Sequence, residues 1–228
     1  MNEVQLAILA GLTTAGGGLR YMRLKPEGMG SDKFNYHLQY LVKKGWVEKT
    51  GEVYRITQEG KKFTTNLDAL GHLQQTFKVS VALYVIKDGQ VLLQRRARHP
   101  FYGDVTSVAG KILPGERVVA AAGRKLREET GLEASFRLLG MHRKIRRNLE
   151  GEVVEDTFYH ICRADGASGK LIEKNVYGEN FWASFSEAIK YESKNSDFGK
   201  TDIKVWERIK KGNDEWFYFE EETVIKFY

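Results

Sequence analysis

The stretch GKILPGERVVAAAGRKLREETGL, Gly110–Leu132, decides both the fold and the chemistry of this chain. Pro114-Gly115 turns the backbone, a helix is predicted from about Arg117 to Thr130, and Gly131 supplies its stop. Val118, Ala121, Ala122 and Leu126 recur at helical spacing and form an apolar side that can dock on a sheet. Gly123, in mid-helix, costs about 1 kcal/mol relative to alanine and permits close packing. The other side is charged. Glu129 follows Lys125 by one turn, and Glu128 follows Arg124 by one turn. With Glu116 delivered by the preceding loop, these glutamates form an all-oxygen site suited to Mg²⁺ or Mn²⁺. Such an ion neutralises a diphosphate and activates water for attack on phosphorus. For an isolated Glu-Glu pair a solvated helix face is the better explanation, and only the surrounding pattern displaces it.

Outward from this helix, the residues read as strands. Lys78–Ile86 (KVSVALYVI) and Gln90–Gln94 (QVLLQ) flank Asp88-Gly89, a strong hairpin turn. Further extended runs are predicted at Val105–Ile112, Phe136–Arg146 and Glu152–Cys162, and a helix near Phe185–Tyr191. Strands, a helix and strands again indicate an α+β or α/β sandwich. Arg95 and Arg96, ahead of a predicted loop at 97–104, are candidates for holding substrate phosphates, together with Gly110 and Lys111. Phe101 and Tyr102 in that loop are candidates for stacking on a base; plain packing is the competing explanation.

The spacing of Gly110, Glu116, Arg124, Leu126, Glu128, Glu129, Gly131 and Leu132 resembles the signature of the Nudix family, without a gap. The resemblance covers most of residues 77–228 and implies a Nudix α/β/α sandwich. It implies Glu116, Glu128 and Glu129 as metal ligands, and Glu129, Glu128 and Arg124 as catalytic residues. Arg124 would hold a carboxylate through its planar fork. The implied substrate is a nucleoside diphosphate linked to another moiety. One position departs: Lys125 stands where the family has a glutamate. An ammonium cannot bind Mg²⁺, and while charged it cannot take a proton. Lys125 is instead placed to pair with Glu129, so a base would have to come from elsewhere, with Glu152, Glu155, Glu173 and Glu179 as candidates.

Residues 1–70 read as a separate domain, with 71–76 as a linker to a domain at 77–228. Val4, Ala7, Ile8 and Leu12 share helical spacing, a short helix is predicted at Leu19–Leu24, and Ser31 is placed to cap a helix carrying Phe34, Leu38, Leu41 and Val42 on one face. Two short runs, Trp46–Lys49 and Val53–Ile56, are joined through Thr50-Gly51, and a last helical stretch covers Gln58–Asn66. This order and wording resemble the winged helix-turn-helix of transcription regulators. The resemblance implies base contacts from Ser31, Lys33, Asn35 and Tyr36, with Asp32 beside them, and phosphate contacts from Lys49 and Arg55. Through residue 75 ten basic residues face seven acidic ones, a small excess that is equally compatible with a protein-contact role.

Composition bounds the rest. The 228 residues are 42% hydrophobic and 29% charged, ordinary for a globular chain, and the net charge of +6 is compatible with a polyanionic partner. A single cysteine, Cys162, excludes an internal disulfide framework and is expected to be buried and inert. No apolar run reaches the roughly 20 residues of a membrane span, and residues 1–4 lack the character of a signal peptide, so a cytoplasmic location without membrane contact is expected. Two functions follow. One is a Mg²⁺-dependent hydrolase of a nucleoside diphosphate derivative, carrying a winged-helix DNA-binding domain. The other is a transcription regulator whose catalytically impaired Nudix domain senses a nucleotide-derived ligand. Expected partners are that nucleoside diphosphate derivative and double-stranded DNA, with a homodimer as the candidate assembly.

Overall fold

A computed structural model describes residues 1–67, 72–73, 76–99, 101–194 and 201–225. Its internal contacts gather into two units, Met1–Thr76 and Phe77–Tyr228. Within the expected linker 71–76, residues 71, 74 and 75 lie outside the described residues.

The smaller unit starts at a capping box. The Asn2 side chain accepts from the Gln5 amide, and the Gln5 side chain accepts from the Asn2 amide, which satisfies two donors at the start of α1 (Glu3–Thr13). The buried face of α1 is Gln5, Ile8, Leu9 and Leu12; Ala7, assigned to that face by spacing, is exposed. The larger Leu9 takes the inward position, and the helix is rotated accordingly. Residues 19–24, expected as one short helix, divide into β1 (Leu19–Arg20) and α2 (Tyr21–Leu24), because Leu19 and Arg20 pair with Tyr54 and Val53. Then come α3 (Ser31–Lys43), β2 (Val47–Thr50), β3 (Val53–Ile56) and α4 (Gln58–Thr64). Ser31 opens α3 as its first residue, Gly30 being the cap. The three strands form a sheet in the order β1-β3-β2. Phe34, Leu38 and Leu41 of α3 are wholly buried against Ile8, Leu9 and Leu12.

In the larger unit, β4 (Lys78–Lys87) and β5 (Gln90–Arg96) turn at Asp88-Gly89, both residues having positive φ. The run expected at 105–112 is two strands, β6 (Val105–Thr106) and β7 (Val108–Lys111), because β6 pairs with β5 while β7 crosses to β4. Helix α5 (Val118–Thr130) follows, then β8 (Arg137–Arg147), β9 (Val153–Asp165), β10 (Gly178–Ser184), α6 (Phe185–Lys194), α7 (Thr201–Lys210) and β11 (Phe217–Val224). The sheet runs β10-β5-β4-β9-β8-β11, with β4–β9 and β8–β11 parallel.

Residue alternation along β4 explains the layering. Val81, Leu83 and Val85 face one core with Ala121, Ala122 and Leu126 of α5. Ala82 and Tyr84 face the other core with Ala188 of α6 and Val205, Trp206 and Ile209 of α7. A strand buried on both faces reads as a continuous apolar run, as KVSVALYVI does. The result is a helix–sheet–helix sandwich of mixed α+β character. No helix among the described residues is long and apolar enough to cross a membrane.

Candidate functional site

The turn at Gly115 (φ 80°) sends the chain into α5, and Gly131 ends it in the left-handed conformation with its N–H donating to the Arg127 carbonyl. Docking of Ala121, Ala122 and Leu126 on the sheet fixes the rotation of the helix. Arg124, Lys125, Glu128 and Glu129 consequently share one edge, beside the loop that carries Glu116.

Arg124 uses its whole fork. Nε and Nη2 donate to the two oxygens of Glu116, each at 2.7 Å, Nη1 donates to Glu128 at 3.2 Å, and Nη2 also reaches the Lys111 carbonyl at 3.1 Å. Glu116 additionally accepts from the Leu113 amide. These bonds, those from Arg124 foremost, hold the Glu116 carboxyl down to about 2. Lys125 lies between the other two carboxylates, with Nζ 2.9 Å from Glu129 Oε1 and 3.1 Å from Glu128 Oε2. Burial pulls its pKa down, but the bonds to Glu129 and then Glu128 outweigh burial and leave it above its ordinary value. Lys125 in turn holds the Glu128 carboxyl below its usual range.

Glu129 is braced from behind. Its other oxygen accepts from Gln94 Nε2, and its carbonyl accepts from Asn175 and Asn180. Gln94 also donates to the Asn180 side chain at 3.1 Å, so β5 and β10 jointly fix the carboxylate. Of these three amides the sequence points only to Asn180, in the family-like segment Asn180-Phe181-Trp182. Their partners lie 35 to 51 residues away in the chain, and only the pairing of β10 with β5 brings them together.

The donor set in this arrangement does not fit a divalent cation. Glu116 is saturated by Arg124, and an ammonium stands between Glu128 and Glu129, where a metal would have to bind. Among the described residues no group of three or more His, Cys, Asp or Glu side chains is placed to hold a metal.

A cavity of about 230 Å³ meets this edge at Gly110 and Lys111 and otherwise lies on the sheet face that α6 and α7 cover. Lys78, Arg96 and Lys111 line its more open part, and Gly110 contributes backbone. Deeper lie His142, Lys144, Arg146, Glu155, Glu192 and Asp202, all buried. Arg146 pairs with Glu155 at 2.6 Å and Lys144 pairs with Asp202, so each buried cation has a buried partner. Phe101 (φ 68°) lines the cavity and lies 4.8 Å from the Arg146 guanidinium. Burial lowers the His142 pKa in spite of neighbouring acids, and raises the Glu192 carboxyl well above its ordinary value. Of this polar floor the sequence points only to Glu155. The signal of the floor is the alternation His142, Lys144, Arg146 along β8, a period of two in which the charged side chains face inward.

Of the residues named from sequence, Arg96, Phe101, Gly110, Lys111 and Glu155 are brought together at this cavity, whereas Arg95 is half-exposed and donates to the Gly103 carbonyl. Tyr102 is exposed, stacked on His99. Among the carboxylates considered as bases, Glu155 is bound to Arg146, Glu179 to Lys174 and Glu152 to Asn148. Cys162 is buried, and burial pushes its thiol up to about 12. On the smaller unit Ser31, Lys33, Asn35 and Tyr36 are exposed along α3, and Lys49 is exposed on β2. Arg55 on β3 donates to the Gly17 carbonyl.

A family model of the NUDIX domain matches residues 76–202, and the chain belongs to that family. An ADP-ribose pyrophosphatase of Methanocaldococcus jannaschii is 28% identical over 115 residues, covering 48% of this chain and 68% of that protein. Among solved structures, a MutT protein from Bacillus halodurans superposes with a TM-score of 0.56 at 20% identity, covering 67% of this chain and 94% of its own. The NUDIX domain of Shewanella oneidensis NrtR, complexed with ADP ribose, superposes with a TM-score of 0.50 at 17% identity, covering 69% of this chain and 99% of its own. At such identities these structures show the fold alone. Nudix hydrolases generally use divalent metal ions such as Mg²⁺.

Proposed function

We propose that this chain is a ligand-responsive DNA-binding regulator, in which the larger unit binds a nucleoside diphosphate derivative of the ADP-ribose type and the smaller unit is a winged helix-turn-helix. The observation that carries the reading is the position of Lys125. Its ammonium engages Glu128 and Glu129 at once, so the carboxylates assigned to catalysis by the family signature are tied up in ion pairs. Binding does not need them free. The open part of the cavity, with Lys78, Arg96 and Lys111, suits a diphosphate, since clustered cations attract and orient phosphate oxygens. The choice of ADP-ribose as first ligand draws on the relative named for its hydrolysis and the fold neighbour bound to it.

The DNA-binding assignment rests on the element order of the smaller unit and on the polar, solvent-facing side of α3. Ser31, Lys33, Asn35 and Tyr36 would reach base edges, and Lys49 and Arg55 would meet phosphates. A ligand can shift DNA affinity only through different affinities for two states of the protein. Fluorescence anisotropy of a labelled duplex from the gene's own upstream region, titrated with and without ADP-ribose, tests this. A severalfold change in apparent affinity is expected. Identical curves at saturating ADP-ribose would count against the regulator.

A second reading, Mg²⁺-dependent hydrolysis of the same ligand class, is favoured by the retention of Glu116, Glu128 and Glu129 on the signature. It requires Lys125 to leave its two carboxylates. Turnover by the wild type that disappears in Glu129→Gln would establish it.

A further inference from the structure

Lys125 does not behave as a surface lysine. Its side chain is only 13% exposed, and its ammonium lies 2.9 Å from Glu129 Oε1, 3.1 Å from Glu128 Oε2 and 5.3 Å from the centre of the Tyr177 ring. The stem is fitted as closely as the charge. A Cβ placed on Gly110 would fall 2.0 Å from Lys125 Cε, so the stem lies directly against the Gly110 backbone. Two carboxylates at bonding distance and an aromatic face make a receptacle for one small cation, and the receptacle is filled by a cation of the chain itself. A divalent ion would need carboxylate oxygens at roughly 2.0–2.6 Å, which would bring it against the ammonium.

We infer that Lys125 is a built-in cation that replaces a divalent ion at Glu128 and Glu129, so that the larger unit binds its anionic ligand without metal. The statement about ligand rests on the regulator reading above; the statement about the cation stands on the geometry of Lys125 alone. With Arg124 on Glu116 and Lys125 on Glu128 and Glu129, two fixed cations offset two of three carboxylate charges. The one that remains is outweighed by Lys78, Arg96 and Lys111, so a diphosphate can approach without a metal to screen it. The Gly110 backbone lies along the stem and the Tyr177 ring faces the ammonium, so the side chain is enclosed over its length.

The test measures metal and ligand separately on the full chain. Free Mn²⁺ is followed by electron paramagnetic resonance during titration of the wild type, Glu129→Gln, Lys125→Met and the double variant Lys125→Met/Glu129→Gln. Methionine keeps the apolar stem over Gly110 and removes the charge; Lys125→Gln serves if Lys125→Met does not fold. The expected result is no Mn²⁺ uptake at this site in the wild type, one site at least tenfold tighter in Lys125→Met, and its loss in the double variant. In parallel, calorimetry with ADP-ribose should give wild-type affinities equal within about twofold in EDTA and in Mg²⁺, and a dependence on Mg²⁺ in Lys125→Met. The inference is overturned if Glu129→Gln abolishes Mn²⁺ binding by the wild type, if Lys125→Met gains no site, or if the gained site survives the double substitution. Absence of any ADP-ribose binding, with Mn²⁺ behaving as expected, would remove the assigned ligand and leave the built-in cation standing.

Discussion

At the scale of single residues, the Glu116–Arg124 pair ties the loop to α5 and couples it to pH. The Glu116 carboxyl lies at about 2 in the folded chain, against an ordinary value of 4.5. A depressed carboxylate contributes stability that is fully present above its unfolded value and is lost as pH falls toward its folded one. The wild type should therefore melt higher than Glu116→Gln near neutral pH, and the gap should narrow below about 4.5 and close near 2. A gap that stays constant through that window, read by thermal melts at stepped pH, would show that the pair does not form. Much of this residue-level chemistry is legible in the sequence, because Glu116, Arg124, Lys125, Glu128 and Glu129 belong to one helix and the loop before it. Helical geometry alone places Lys125 against Glu129. Helical spacing places it within reach of Glu128 as well; that its stem lies against Gly110 depends on how α5 docks on β7.

At the scale of elements, adjacent strands supply what local spacing cannot. Arg146 on β8 and Glu155 on β9 are directly paired in register, and both are buried. Removing one partner leaves an uncompensated buried charge, which typically costs about 3–5 kcal/mol. Arg146→Met should lower unfolding stability by about that amount in denaturant titration, and adding Glu155→Gln should restore a good part of it. Equal destabilisation in the single and double variants would mean that the two side chains do not act as a pair. Strands β4, β5, β8 and β9 and helices α3 and α5 were readable from period and turn chemistry. Strand β10, helix α7 and strand β11 were not. The run Glu220-Glu221-Glu222 hides the alternation of β11, whose parallel partner β8 lies about 77 residues earlier, as in Phe217 with Gly140. Helix α7 has few apolar residues, and its inward Trp206 and Val205 are strand-prone. Apart from Glu155, the cavity floor was missed for the same reason: its residues come from β8, β9, α6 and α7, which only the sheet order assembles.

At the scale of the whole molecule, the proposed regulator needs two separable activities, one in each unit, that a ligand can link. Association with duplex DNA should weaken steeply with salt, since each phosphate neutralised contributes roughly −0.9 to the slope of log K against log salt. Lys49→Ala should reduce that slope by about 1 and weaken binding uniformly across sequences. A salt-insensitive association would instead point to protein contact. We propose that the larger unit binds a diphosphate derivative without cleaving it, because Lys125 occupies the two carboxylates that the family signature assigns to catalysis. Phosphorus NMR of ADP-ribose with Mg²⁺ and the wild-type chain tests both halves at once. The expected spectrum shows the two diphosphate resonances shifted or broadened by binding and otherwise intact after prolonged incubation. Appearance of phosphomonoester resonances with the wild type, and their absence with Glu129→Gln, would contradict the account.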